Sequence, residues 1–339
     1  MMHPPLQAGW IDRPHQTLSL GDFALESGAV IRNFTLSYVV HGALDAARSN
    51  AVLALSAISS THHRLDFLIG AGRALDPAHL AIIAVDAIGN GLSTSPSNSV
   101  MQPGLAFPRF SIRDMVASQC ALLDHLGIAR LLAVVGASMG GMQALQWGVS
   151  HPGRMGRIVA MTPMARTAPW AAAINEASRR ALMADSDWAK GGTGGWAAWV
   201  PLMQLLSSRT PRQLEAAFAS PADVINWIEE RSAWWQAQGF APVDWVWQSH
   251  AYDAHDVGTT PGCAGDTARA LATMRAATLV LAPPLDLYNP VEAAHWAAQH
   301  IPGAVLREIP SDWGHQSASA ADPQAEVWLN AQIAAFVSG

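Results

Sequence analysis

The chain has 339 residues, half of them hydrophobic and only 14% charged, with a net charge of −6; that length holds one large α/β core with an insertion, or two domains. A chain so poor in charge has apolar surface to hide in a pocket, under a lid or between two copies, and an acidic balance with no basic run argues against nucleic acid as a partner. No apolar stretch reaches membrane-spanning length, the first residues lack a signal-peptide layout, and Cys120 and Cys263 lie far apart, so we expect a cytoplasmic protein with no membrane partner and no disulfide framework.

In chain order, residues 35–41 alternate as an early strand, 51–55 form a buried-strand run, and 80–85 form a third that ends at Asp86 and a Gly-Asn-Gly loop. Ser111-Ile-Arg-Asp114 opens a helix with a capping-box-like start that stops near Gly127. Strands at 131–135 and 157–161 follow, so strands alternate with helices and predict a mostly parallel sheet with helices on both faces. From about 165 to 265 the pattern changes to helical stretches, as at 174–183 and 211–218, and nine of the fourteen tryptophans fall there. We expect a core of residues 1–164 and 266–339 and a helical, tryptophan-rich cap at 165–265. Most of those indoles should pack the cap and a minority should line a pocket. Strands at 278–281 and 304–309 and an amphipathic helix at 323–337 close the chain.

The most informative stretch is Val134-Val-Gly-Ala-Ser-Met-Gly-Gly141, an apolar run that breaks into Gly-x-Ser-x-Gly and leads straight into a helix-like segment. This is the nucleophile-elbow pattern: a strand ends, a serine sits on a tight strained turn, and glycines at 136 and 140 allow the close backbone approach. A serine hydroxyl needs a histidine to take its proton and a carboxylate to orient that histidine, here in the chain order Ser, Asp, His. Ser138 is the expected nucleophile, Asp286 the acid after the strand at 278–281, and His315 the base in the loop after the next strand. Asp312 is a weaker rival for the acid because it shares a loop with His315, while His295 and His300 read as helix residues. The turn points the amide of Met139 at a developing oxyanion, and the loop after the early strand should supply the second donor at Ala57. Ser56, His62 and Gln316 are candidate substrate contacts, and Ser60, Thr61 and His63 border the same region. The group His250, Asp253, His255 and Asp256 has a metal-like spacing but reads better as helix-cap hydrogen bonding, so neither a metal nor a bound cofactor is expected.

Several blocks resemble the homoserine O-acetyltransferase family of α/β-hydrolase-fold enzymes: residues 68–76, Ser111-Ile-Arg-Asp-Met115, Leu123-Asp-His-Leu-Gly-Ile128, Ser138-Met-Gly-Gly-Met-Gln-Ala-Leu145 and residues 174–185. The resemblance implies the α/β-hydrolase fold with a helical cap, the roles given above for Ser138, Asp286 and His315, and a possible homodimer. Two positions depart from the family. Gln316 follows the histidine where the family has an aspartate that contacts homoserine, and no arginine lies between Arg180 and Arg209 where a cap arginine would hold the substrate carboxylate. An amino acid whose charges are left unpaired in a pocket costs several kcal/mol. The expected reaction is therefore acyl transfer through an acyl-enzyme, with a small ester as substrate and water as acceptor. The alternatives are acetyl transfer to an alcohol, with acetyl-CoA as co-substrate, and a ligand-binding protein whose serine is idle.

Overall fold

Short runs of aliphatic residues bounded by glycine or polar breakers become the central strands, and the computed structural model, which describes residues 3–339, joins eight of them in one sheet. These are β1 (Gln16–Ala24), β2 (Val30–His41), β3 (Ala51–Leu55), β4 (Ala81–Val85), β5 (Leu131–Ala137), β6 (Met155–Met161), β7 (Ala277–Ala282) and β8 (Val305–Glu308). Their order is β1-β2-β4-β3-β5-β6-β7-β8, antiparallel at β1/β2 and β2/β4 and parallel from β4 onward. The expected α/β-hydrolase architecture is thus present.

β3 shows why the sheet is covered on both sides. Leu53 and Leu55 face one apolar cluster and Val52 and Ala54 the other, all fully buried, as a strand with helices on both faces requires. Onto the first face pack α1 (Ile112–His125) and α2 (Met139–Ser150); α10 (Pro323–Ser338) covers the second through Leu329, Ile333 and Val337. Each such aliphatic side chain contributes roughly 1.5–3 kcal/mol by leaving water. The capping box read at Ser111 forms, with Ser111 and Asp114 satisfying each other's backbone amides.

Two strand readings fell short. β2 begins five residues before residue 35, and β1 was not anticipated at all. β1 lies at the sheet edge with mostly exposed or half-buried residues and an irregular register around Gly21, so it lacks the apolar run that marks the inner strands.

Between β6 and β7 the chain runs through α3 (Pro169–Met183), α4 (Trp196–Met203), α5 (Pro211–Ala217), α6 (Pro221–Ala237), α7 (Pro242–Asp253) and α8 (Thr267–Ala272), with α9 (Val291–His300) following β7. Trp196, Trp199, Trp245 and Trp247 are buried there. Within the group at 250–256 the two aspartates are engaged by neighbours, Asp253 accepting from Asn175 and pairing with Arg179, and Asp256 accepting from Gly258 and Thr267.

Candidate active site

Ser138 sits between β5 and α2 with φ 59° and ψ −124°, a left-handed conformation for a residue with a side chain. Such a backbone costs on the order of 1–3 kcal/mol and persists only where its surroundings enforce it. Here they do. The Ser138 amide donates to Met161 O at 3.0 Å and to Thr162 Oγ1 at 3.1 Å, tying the turn to the end of β6. A Cβ on Gly136 would lie 2.1 Å from Gly140 O, and one on Gly140 would lie 2.8 Å from Leu55 O. Both glycines are therefore steric requirements of the turn.

His315 Nε2 is 2.8 Å from Ser138 Oγ, and His315 Nδ1 is 2.7 Å from Asp286 Oδ2. A carboxylate only accepts, so the ring proton belongs on Nδ1, leaving Nε2 to accept from the serine hydroxyl. All three side chains are buried. Asp286 is itself fixed, its Oδ1 accepting from the amides of Tyr288 at 2.8 Å and Asn289 at 2.9 Å. Asn289 donates in turn to Thr162 O and accepts from Tyr252, while Tyr288 donates to Asn175 on α3 and sets its ring edge-on to His315. Burial pushes both phenols well above their ordinary range, so each stays a neutral donor. The rivals lie elsewhere: Asp312 pairs with Arg212, His295 with Glu308, and His300 ends α9 with Nδ1 against Trp296 O.

The loop after β3 is held from behind by a buried polar relay. Trp147 donates to Gln119, Gln119 to Gln143, and Gln143 to Ser56 O at 2.9 Å. The structure corrects one expectation here. The Ala57 amide donates to Ser60 Oγ at 2.7 Å and is therefore already satisfied. The next amide, that of Ile58, makes no hydrogen bond within the described residues and belongs to a residue on the cavity wall beside Ser138. The Met139 amide is the first of α2, where no intrahelical acceptor exists. Two of the candidate substrate contacts do not reach the cavity: Ser56 Oγ accepts from the Ala87 amide, and His62 is buried against Asp86. Gln316 does line it, as do Ser60, Thr61 and His63.

Above Ser138 lies a cavity of about 430 Å³, within the range of small-molecule sites. Four of the nine tryptophans at 165–265 line it, namely Trp199, Trp234, Trp235 and Trp245, with Trp10 from the N-terminal segment opposite. A π-helical turn at Gln204–Ser208, following Pro201 inside α4, presents Gln204, Ser207 and Ser208 to the same space. Sequence reasoning missed Trp10, the π-helical turn and two cations. Arg231 of α6 stacks over Trp234 at 4.2 Å, and Arg64 donates to Ala318 O; among the described residues neither pairs with a carboxylate. Burial lowers both guanidinium pKa values, that of Arg64 to about 10, which leaves each charged at neutral pH.

Comparison with known proteins places this fold among the α/β hydrolases. Residues 52–199 match the alpha/beta hydrolase fold family. A homoserine O-acetyltransferase of Geobacter sulfurreducens is 39% identical over 188 residues, 50% of this chain and 51% of its own length, so the chain spans about half the length of such curated relatives in the match. Among solved structures, the acetyl esterase MekB is 30% identical with a TM-score of 0.89, covering 96% of this chain and 97% of that one. An acetylester hydrolase from Corynebacterium glutamicum is 27% identical with a TM-score of 0.88, covering 96% of both. No helix among the described residues is long and apolar enough to cross a membrane. The chain has the α/β-hydrolase fold, carries a match to the alpha/beta hydrolase fold family over residues 52–199, and is similar both to homoserine O-acetyltransferases and to acetyl esterases.

Proposed function

We propose that this protein is a serine esterase acting on small carboxylic esters through an acyl-enzyme. Ser138 gives its proton to His315 Nε2 as Oγ bonds to the ester carbonyl carbon; the C–O bond to the alcohol then breaks, and His315 returns the proton to the leaving oxygen. Water repeats the sequence and releases the acid. Asp286 keeps the proton on His315 Nδ1 and stabilises the imidazolium, while the amides of Met139 and Ile58 hold the oxyanion. Losing one such donor typically costs about 2.7–4 kcal/mol of transition-state stabilisation. The observation that carries the reading is the buried chain Asp286–His315–Ser138, with links of 2.7 and 2.8 Å, opening under an aromatic cavity. Residues 165–265 act as the cap that shapes this cavity.

A second reading, acetyl transfer from acetyl-CoA to an alcohol, is favoured by Arg231 and Arg64, which supply cationic recognition on the wall where the sequence suggested none. The counterpart for an ammonium group is weak: Asp66, the carboxylate on the lining, already accepts from His63 and from the Ile11 amide. Turnover of p-nitrophenyl acetate with and without candidate alcohols separates the two. Hydrolysis unaffected by alcohols supports the esterase, and a strong preference for an alcohol over water makes the protein a transferase.

A further inference from the structure

Behind the cavity wall, four imidazoles gather from two segments distant in sequence. His62 and His63 open the 3-10 helix His62–Leu68, and His3 and His15 come from the N-terminal segment. His3 Nε2 faces His63 Nε2 at 3.0 Å, and a nitrogen from each of His3, His62 and His63 lies within 4.8 Å of the others. Two nitrogens bound to one tetrahedral zinc at about 2.0–2.1 Å sit roughly 3.3 Å apart, so a small adjustment would bring this set onto a common ion.

Three further observations point the same way. First, the two inner histidines are each backed by a carboxylate, with His62 Nδ1 3.1 Å from Asp86 Oδ2 and His63 Nδ1 2.6 Å from Asp66 Oδ2. A carboxylate on Nδ1 fixes the tautomer that leaves Nε2 free as a ligand, the usual outer shell of a metal-bound histidine. Second, among the described residues His62 Nε2 has no hydrogen-bond partner although the residue is 2% exposed, and an orphaned polar atom so deeply buried calls for an occupant. Third, Asp86 and Asp66 are both buried, and among the described residues imidazoles are their only ion-pair partners. A divalent cation would offset two carboxylates without protonating any ring.

We propose that His3, His62 and His63 form a site for one divalent transition metal of the zinc class, with His15 or water in the fourth position. The site is structural. It clamps the N-terminal segment, whose Trp10 stacks on His63 at 4.2 Å and lines the cavity, to the 3-10 helix that follows the Ala57–Ile58 loop.

The test uses the full chain without a histidine tag, stripped with chelator and titrated with Zn²⁺ by calorimetry, with Co²⁺ as a spectroscopic substitute. The wild type is expected to take up one equivalent, to show the visible bands of tetrahedral Co²⁺, and to melt at higher temperature with metal than without. His3→Ala, at an N-terminal position that the sheet does not need, should lose the uptake and the thermal shift. Asp86→Asn should bind about 10- to 100-fold more weakly. Sub-stoichiometric uptake by the wild type, or equal uptake by His3→Ala, would mean an adventitious ion only and would overturn the site. Neither result bears on Ser138, because metal binding is read without turnover.

Discussion

The elbow and the cap obey different rules. Around Ser138 the backbone decides: glycines at 136 and 140 have no room for a Cβ, and amide-to-carbonyl bonds fix the serine against β6. In the cap, side chains decide. α6 buries no residue completely, yet its Arg231, Trp234 and Trp235 face the cavity, and among the described residues the indole nitrogens of Trp196, Trp199, Trp235 and Trp245 have no hydrogen-bond partner. On the proposed function, chemistry is placed where one geometry is enforced, and selectivity where aromatic packing leaves adaptable space. A change in the first region should abolish a step or the fold, whereas a change in the second should alter which ester is preferred.

The largest expected effect comes from Gly136→Ala. The added methyl would meet Gly140 O at 2.1 Å, so the variant should fail to give a cooperative thermal transition; a wild-type melting temperature would show that the turn is less constrained than argued. Asp286→Asn should fold normally and lose kcat by about ten-thousand-fold through the wrong histidine tautomer. A loss under tenfold in steady-state assays would remove the acid from the mechanism. Arg231→Met should leave hydrolysis of neutral esters nearly unchanged and raise KM for esters with a second, anionic group about tenfold, equivalent to roughly 1.4 kcal/mol. Equal effects on both substrate types would make Arg231 a packing residue.

The smallest effect concerns stability. Burial pushes His255 down to about 4, so between pH 6.5 and 4 the unfolded chain binds a proton that the folded chain refuses. The His255 contribution is therefore intact above pH 6.5 and drains as pH falls toward 4, amounting to about 2 kcal/mol between pH 7 and 5. Urea unfolding at the two pH values measures it, and His255→Asn should flatten the difference; an unchanged slope would assign it to other groups.

The same contrast explains what could be read from the sequence. The elbow, the order of Ser138, Asp286 and His315 and the inner strands were legible because each rests on a local pattern, such as an apolar run, a glycine pair or a strand-end loop. The sequence points to Ala57 rather than Ile58 because the bond that the Ala57 amide donates to Ser60 Oγ leaves no mark on hydrophobic periodicity. Arg231 was not connected with the cavity because α6 has a weakly differentiated face and its approach depends on tertiary packing. The gathering of His3 and His15 with His62 and His63 was invisible for a similar reason: only the fold brings an N-terminal segment against the residues that follow β3.

The most direct test of the central claim is labelling of the native protein with a fluorophosphonate, followed by peptide mass analysis. One phosphonyl group is expected, on Ser138, with labelling greatly slowed in a folded His315→Ala variant. A folded wild-type protein that hydrolyses esters while Ser138 stays unlabelled, or carries the label on another residue, would contradict it.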